Sequence, residues 1–300
     1  MRSIFLLILI PIFLTSCTYE AKKPVIQTGF ADVNGTTLYY EMAGRGDPLV
    51  LIHGNFGDRR HWDLQFMPLA EKFQVLRYDV RGYGKSAMPD TGEVYRDCDD
   101  LKALLDYLKI DKAHVCGVSM GSGIAIDFAL ACPERCFSLI PIGPWPSGYG
   151  YGDYSSPSTD SMNVIFGKVF ELIATQDPRQ ATDYWWTGDH EIKGTVCSKQ
   201  TLDSLLTMGY EYSWWGFLNE NKREWINPPA IARLDEIKLP TLIITAEHDI
   251  KACMEVAELM HGKIVGSKMV SMNGAGHLMN MDKPEEFNTI VTEFVNELKK

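Results

Sequence analysis

The chain has no run of five or more basic residues, no Cys-x-x-Cys pair, no His-x-x-x-His spacing and no apolar stretch long enough to read as a membrane-spanning helix. The first absence, together with 29 Lys+Arg against 39 Asp+Glu and a formal net charge of −10, argues against nucleic acid and against electrostatic adhesion to anionic lipid surfaces. The next two remove the spacings that usually hold a metal, so none is expected. What remains, 300 residues with 45% hydrophobic and 23% charged content, describes one globular domain with enough chain to bury a substantial core.

The apolar run at residues 4–14 falls short of the roughly 20 residues that a spanning helix needs. With Arg2 before it and Leu14-Thr15-Ser16-Cys17 after it, residues 1–16 are predicted to be a signal peptide. The tetrapeptide resembles a bacterial lipobox. Cys17 would then be the lipidation site and residues 17–24 a tether, giving an exported protein anchored in a membrane by acyl chains, each buried methylene contributing roughly 0.8 kcal/mol. Of the seven cysteines, those at 98, 116, 132, 136, 197 and 253 remain. An even number in an exported protein permits disulfides without fixing any pairing. Cys132 and Cys136 could pair or stay free.

Among the motifs that are present, the strongest is Gly117-Val118-Ser119-Met120-Gly121. An apolar, β-leaning run precedes it and an apolar run at helical spacing follows, so Ser119 is predicted on a strand-to-helix turn. A serine hydroxyl is a weak nucleophile until a base takes its proton, so a histidine and an acid must follow. Thr241-Leu242-Ile243-Ile244-Thr245 reads as a buried strand running into a loop with Asp249. Lys268-Met269-Val270-Ser271-Met272 leads through glycines to His277. Serine, acid and histidine in that order, each just past a strand, point to nucleophilic catalysis by Ser119, Asp249 and His277.

With these motifs the sequence resembles the α/β-hydrolase superfamily, in the branch of small esterases, perhydrolase-like enzymes and enol-lactonases. His53-Gly54-Asn55-Phe56-Gly57 is similar to the family's oxyanion loop, and Asp79-Val80-Arg81-Gly82-Tyr83-Gly84-Lys85-Ser86 to the segment after the following strand. Cys132-Pro133-Glu134-Arg135 resembles the helix end before the sixth strand. The resemblance implies an α/β fold with a mostly parallel eight-stranded sheet flanked by helices and a helical cap inserted after the sixth strand. It implies backbone N–H donors at Asn55 and Met120 for the oxyanion, with Phe56 as the alternative to Asn55, and no cofactor. Asp79, Arg81 and Ser86 would brace the loop beneath the site. The family's acid follows a glycine that is Ala246 here, which leaves Glu247 as a weaker alternative to Asp249. His248 is a lesser rival to His277, His53 reads as structural, and His61, His114, His190 and His261 carry no signal.

Strands are predicted over 26–33, 37–43, 49–52, 74–78, 114–116, 138–142, 241–245 and 268–272, the first two joined by the Asn34-Gly35 hairpin signal. Helices are predicted over 62–72, 93–108, 122–131, 254–260 and 284–298. Residues 25–143 and 236–300 form the expected core, and 144–235 the cap, which holds six of the seven tryptophans. Most of these rings are expected to be cap core. Phe56 and Trp145 are candidates for lining a substrate pocket. The expected activity is hydrolysis of a small carboxylic ester or lactone through an acyl-enzyme. A proline-type aminopeptidase, an acyltransferase or perhydrolase on the same triad, and a non-catalytic binding lipoprotein are the alternatives. Oligomeric state is not legible.

Overall fold

A computed structural model of the chain describes residues 24–299 except 91, 93, 176, 197, 220 and 221. The predicted signal peptide, Cys17, nearly all of the tether and Cys197 lie outside the described residues. Eight strands form one sheet in the order β1-β2-β4-β3-β5-β6-β7-β8. β1 (Gln27–Val33) and β2 (Thr36–Gly44) make an antiparallel hairpin. Its turn uses Asn34 (φ 46°) and Gly35 (φ 70°), the left-handed pair that this two-residue loop requires. β2 pairs antiparallel with β4 (Gln74–Tyr78), and every later pairing is parallel, through β3 (Pro48–Ile52), β5 (Ala113–Val118), β6 (Cys136–Ile142), β7 (Leu242–His248) and β8 (Lys268–Gly276).

Parallel strands covered on both faces read as unbroken apolar runs rather than alternating ones. β5 is buried at all of its positions, and Leu49, Val50, Leu51 and Ile52 of β3 have no exposed surface. The flanking helices are α1 (Asp63–Ala70), α2 (Asp97–Tyr107), α3 (Met120–Ala131), α8 (Lys251–Lys263), α9 (Met279–Asp282) and α10 (Pro284–Glu297). α1 packs on α10, and α2 on α3. Between β6 and β7 lie α4 (Pro157–Thr175), α5 (Pro178–Thr187), α6 (Lys199–Glu211) and α7 (Trp215–Leu218). Among the described residues no helix is long and apolar enough to cross a membrane.

The elements depart from the sequence-based bounds in ways that matter for the site. α3 begins at Met120 rather than 122, so the helix starts immediately after Ser119. β7 continues through Glu247 and His248, and both are exposed. The helix expected from 93 starts only at Asp97, because Tyr95 forms a bridge with Arg223 instead. Cys132 and Cys136 are free thiols, with the Cys136 Sγ turned toward the Cys132 carbonyl at 3.8 Å.

Candidate active site

Ser119 sits between β5 and α3 at φ 54°, ψ −118°, a conformation that is strained for any residue with a side chain. The flanking glycines are required by close approach. A Cβ on Gly117 would lie 2.0 Å from the Gly121 carbonyl oxygen, and one on Gly121 would lie 2.3 Å from that of Ile52. The Ser119 N–H donates to the Ile142 carbonyl at 2.9 Å, tying the turn to the end of β6. Met120 is the first residue of α3, so its N–H has no intrahelical acceptor.

β5, β6, β7 and β8 are consecutive in the sheet, and Ser119, Gly143, Asp249 and His277 follow their respective carboxyl ends. Asp249 is buried. Its Oδ1 accepts from Ile250 N–H at 2.7 Å and from His277 Nδ1 at 2.6 Å, and its Oδ2 accepts from the Thr245 hydroxyl at 3.0 Å. A carboxylate only accepts, so His277 carries a proton on Nδ1, and in the neutral imidazole the lone pair is then on Nε2. The imidazole reaches back across the sheet: a Cβ on Gly143, which has φ 47°, would come within 2.9 Å of His277 Cε1 and Nδ1. Ser119 and His277 thus meet the end of β6 from opposite sides, one at Ile142 and one at Gly143. The His277 N–H donates to the Thr195 carbonyl, 2.7 Å away in the segment between β6 and β7.

Glu247, the alternative acid, accepts from Gly274 N–H at 2.8 Å and is exposed, away from this pair. The donor atoms of Asp249, His277 and Cys253 all lie within 4.8 Å of one another. Burial pushes the Cys253 thiol well above its ordinary pKa. It therefore stays a neutral thiol beside the pair.

The loop after β3 is held by two histidines. Both are kept neutral by burial, which lowers the His53 pKa and brings that of His61 down to about 3. His53 Nδ1 donates to the Gly54 carbonyl at 2.8 Å, and its Nε2 accepts from Val80 N–H at 3.0 Å. His61 Nδ1 accepts from Gly54 N–H at 3.1 Å. Gly54 is clamped on both its polar groups, and a Cβ there would lie 3.3 Å from the Ser119 Cβ. His61 was not legible in the sequence: its role is one backbone bond, made from a 3₁₀ turn at Arg59–Trp62.

Of the two possible donors on this loop, Phe56 N–H is engaged by the Asn55 Oδ1 at 3.1 Å. Phe56 itself adopts φ 58° and is buried. Its ring packs against Trp185 (4.4 Å between centroids), Trp214 (5.1 Å) and Phe217 (5.2 Å), all from the segment between β6 and β7. Trp145 is half-buried. Its N–H donates to Ser122 Oγ at 2.9 Å and its ring meets Tyr149 edge-on at 5.3 Å. Asp79, Arg81 and Ser86 are buried and bonded to structural partners. Asp79 accepts from Arg59 and Lys85 backbone N–H groups (2.9 and 2.8 Å), Arg81 pairs with Asp100 at 2.6 Å, and Ser86 Oγ accepts from Tyr39 N–H at 2.9 Å.

The profile of the α/β-hydrolase fold family matches residues 47–284. Among named relatives, 3-oxoadipate enol-lactonase 1 of Acinetobacter baylyi is 25% identical over 270 residues, covering 88% of this chain and 95% of that protein. A putative carbamate hydrolase, RutD, of Azorhizobium caulinodans is 26% identical over 275 residues, covering 90% and 98%. Among solved structures, Est816, described as an N-acyl homoserine lactone degrading enzyme, superimposes with a TM-score of 0.72 at 24% identity over 89% of this chain and all of that one, which speaks to the fold. The chain belongs to the α/β-hydrolase fold family, and it is a hydrolase.

Proposed function

We propose that this hydrolase cleaves a small carboxylic ester or lactone through an acyl-enzyme formed on Ser119. The observation that carries the reading is the 2.6 Å bond from His277 Nδ1 to Asp249 at the same sheet rim as the strained Ser119 turn. His277 Nε2 takes the Ser119 Oγ proton as Oγ attacks the carbonyl carbon. The carbonyl oxygen becomes an oxyanion received by the backbone N–H groups of Asn55 and Met120. Collapse breaks the bond to the alkoxide, which leaves with the proton from His277. Water, deprotonated by the same Nε2, then attacks the acyl carbon; the bond to Oγ breaks, His277 returns the proton to Oγ, and the acid is freed. Asp249 holds the tautomer and stabilises the imidazolium. Each oxyanion donor is worth about 3 to 4 kcal/mol of barrier.

Residues 144–235 serve as a cap in this reading, with Phe56 and Trp145 toward the substrate. The enol-lactonase and carbamate hydrolase relatives support the reaction class. Residues 1–16 are proposed as an export signal and Cys17 as the lipidated N-terminus. Mass spectrometry of the mature protein would show acylated Cys17, and an intact Met1 or an unmodified Cys17 would refute it.

Turnover of p-nitrophenyl esters of graded chain length, run beside γ- and δ-lactones, tests the substrate class. Activity is expected to peak at short acyl chains or at lactones. Turnover of proline anilides alone would overturn the ester or lactone assignment.

A further inference from the structure

Asn55 presents its side-chain carbonyl to two donors at once. Phe56 N–H, a donor only, lies 3.1 Å from Oδ1, which fixes the orientation of the amide, and the Tyr83 hydroxyl lies 2.7 Å from the same oxygen. Tyr83 belongs to the loop after β4, is 4% exposed, and reaches across 28 residues of sequence to make this bond. Its ring meets His53 edge-on at 5.1 Å and stacks on Tyr212 at 4.8 Å with an interplanar angle of 8°. Tyr212 follows α6 in the segment between β6 and β7 and is itself buried. Burial raises the Tyr83 phenol above its ordinary pKa, so the group keeps the proton it donates.

We propose that Tyr83 is a positioning residue for the oxyanion site: its hydroxyl holds the Asn55 side chain on the Phe56 N–H, leaving the Asn55 backbone N–H as the donor aimed at the nucleophile. Two adjacent N–H groups on a tight loop compete for that task, and only one geometry is productive. Occupying Phe56 N–H with Oδ1 selects between them. Without the phenol O–H the amide loses one of the two donors that fix it and is free to rotate, and the N–H of Phe56, itself at φ 58°, loses its acceptor when it does. The stack on Tyr212 makes the arrangement depend on the segment between β6 and β7 lying in place over the loop. The inference rests on the acyl-enzyme reading above and names what sets one of its two donors.

The test uses p-nitrophenyl acetate as substrate and phenylboronic acid, whose tetrahedral adduct carries the same oxyanion, as inhibitor. Tyr83→Phe keeps the ring and its stack. The expected result is a kcat about tenfold lower at unchanged KM, with boronate affinity weaker by the same factor. Asn55→Ala is expected to lower both at least as much. The double variant is expected to match Asn55→Ala alone, because the hydroxyl acts through that side chain. A Tyr83→Phe enzyme with wild-type kcat and boronate affinity, or effects that multiply in the double variant, would overturn the inference. Should Tyr83→Phe not fold, Asn55→Ala decides: an unchanged kcat refutes the arrangement. Failure of the acyl-enzyme reading looks different, since wild type would then form no boronate or acyl adduct at Ser119 whatever stands at position 83.

Discussion

The two sides of the site are built on opposite principles. On the base side, Asp249 and His277 are held by hydrogen bonds to each other, to Thr245, to Ile250 and to the Thr195 carbonyl. In the proposed reading, Asp249 and His277 hold each other and also do the chemistry. On the proposed oxyanion side, Gly54, Asn55 and Phe56 are held by two neutral histidines, a tyrosine and a cluster of rings. None of those supports needs to change charge during turnover. The difference teaches that charge which must move is placed where partners can follow it, and geometry which must not move is fixed by packing and by groups that cannot titrate near neutral pH.

Changes that break this contrast should separate cleanly. Asp249→Ala removes the orienting acid and is expected to lower kcat by about 10⁴-fold while the fold persists. Steady-state kinetics beside circular dichroism would check it, and a loss below tenfold would place the acid elsewhere. Trp214→Ala, on the other side, deletes a ring with 1% exposure that touches Phe56 and Tyr212. It is expected to cost about 3 to 5 kcal/mol of stability, read as a lower denaturant midpoint.

The effect that needs a change of pH to be seen concerns His61. An unfolded imidazole binds a proton below about pH 6.5, whereas folded His61 does so only near 3. The unfolded state therefore holds more protons across that window, and stability falls as pH falls through it, by up to about 1.4 kcal/mol per pH unit from this residue. His61→Gln should flatten the acid limb of a plot of stability against pH. His114, which burial brings down to about 4, should keep a residual slope. An unchanged acid limb would show that His61 is already charged in the folded protein.

The positions of Ser119, Asp249 and His277, the proposed nucleophile, acid and base, just past β5, β7 and β8 were legible because each is marked by a local pattern. Ser119 needs glycines two residues away on each side, and those glycines prove to be points where backbone passes backbone. Asp249 and His277 stand just past apolar strands, and Ala246 in place of the family's glycine is buried in β7 without disturbing the acid. The supports were not legible. His61 and the Tyr83–Asn55 pair act through single hydrogen bonds between loops, and nothing in a linear pattern marks a bond of that kind. Likewise the tryptophan-rich stretch signalled aromatic packing but not its target, because ring clusters have no period. Only the folded chain shows that it centres on Phe56.

The central claim is that Ser119 Oγ is the atom that bonds covalently to substrate. Intact-mass and peptide mass spectrometry after treatment with a fluorophosphonate tests it directly. The account predicts a single adduct on the peptide bearing Ser119, lost in Ser119→Ala and strongly slowed in His277→Ala. An adduct on another residue, or a folded, ester-hydrolysing Ser119→Ala protein, would contradict it.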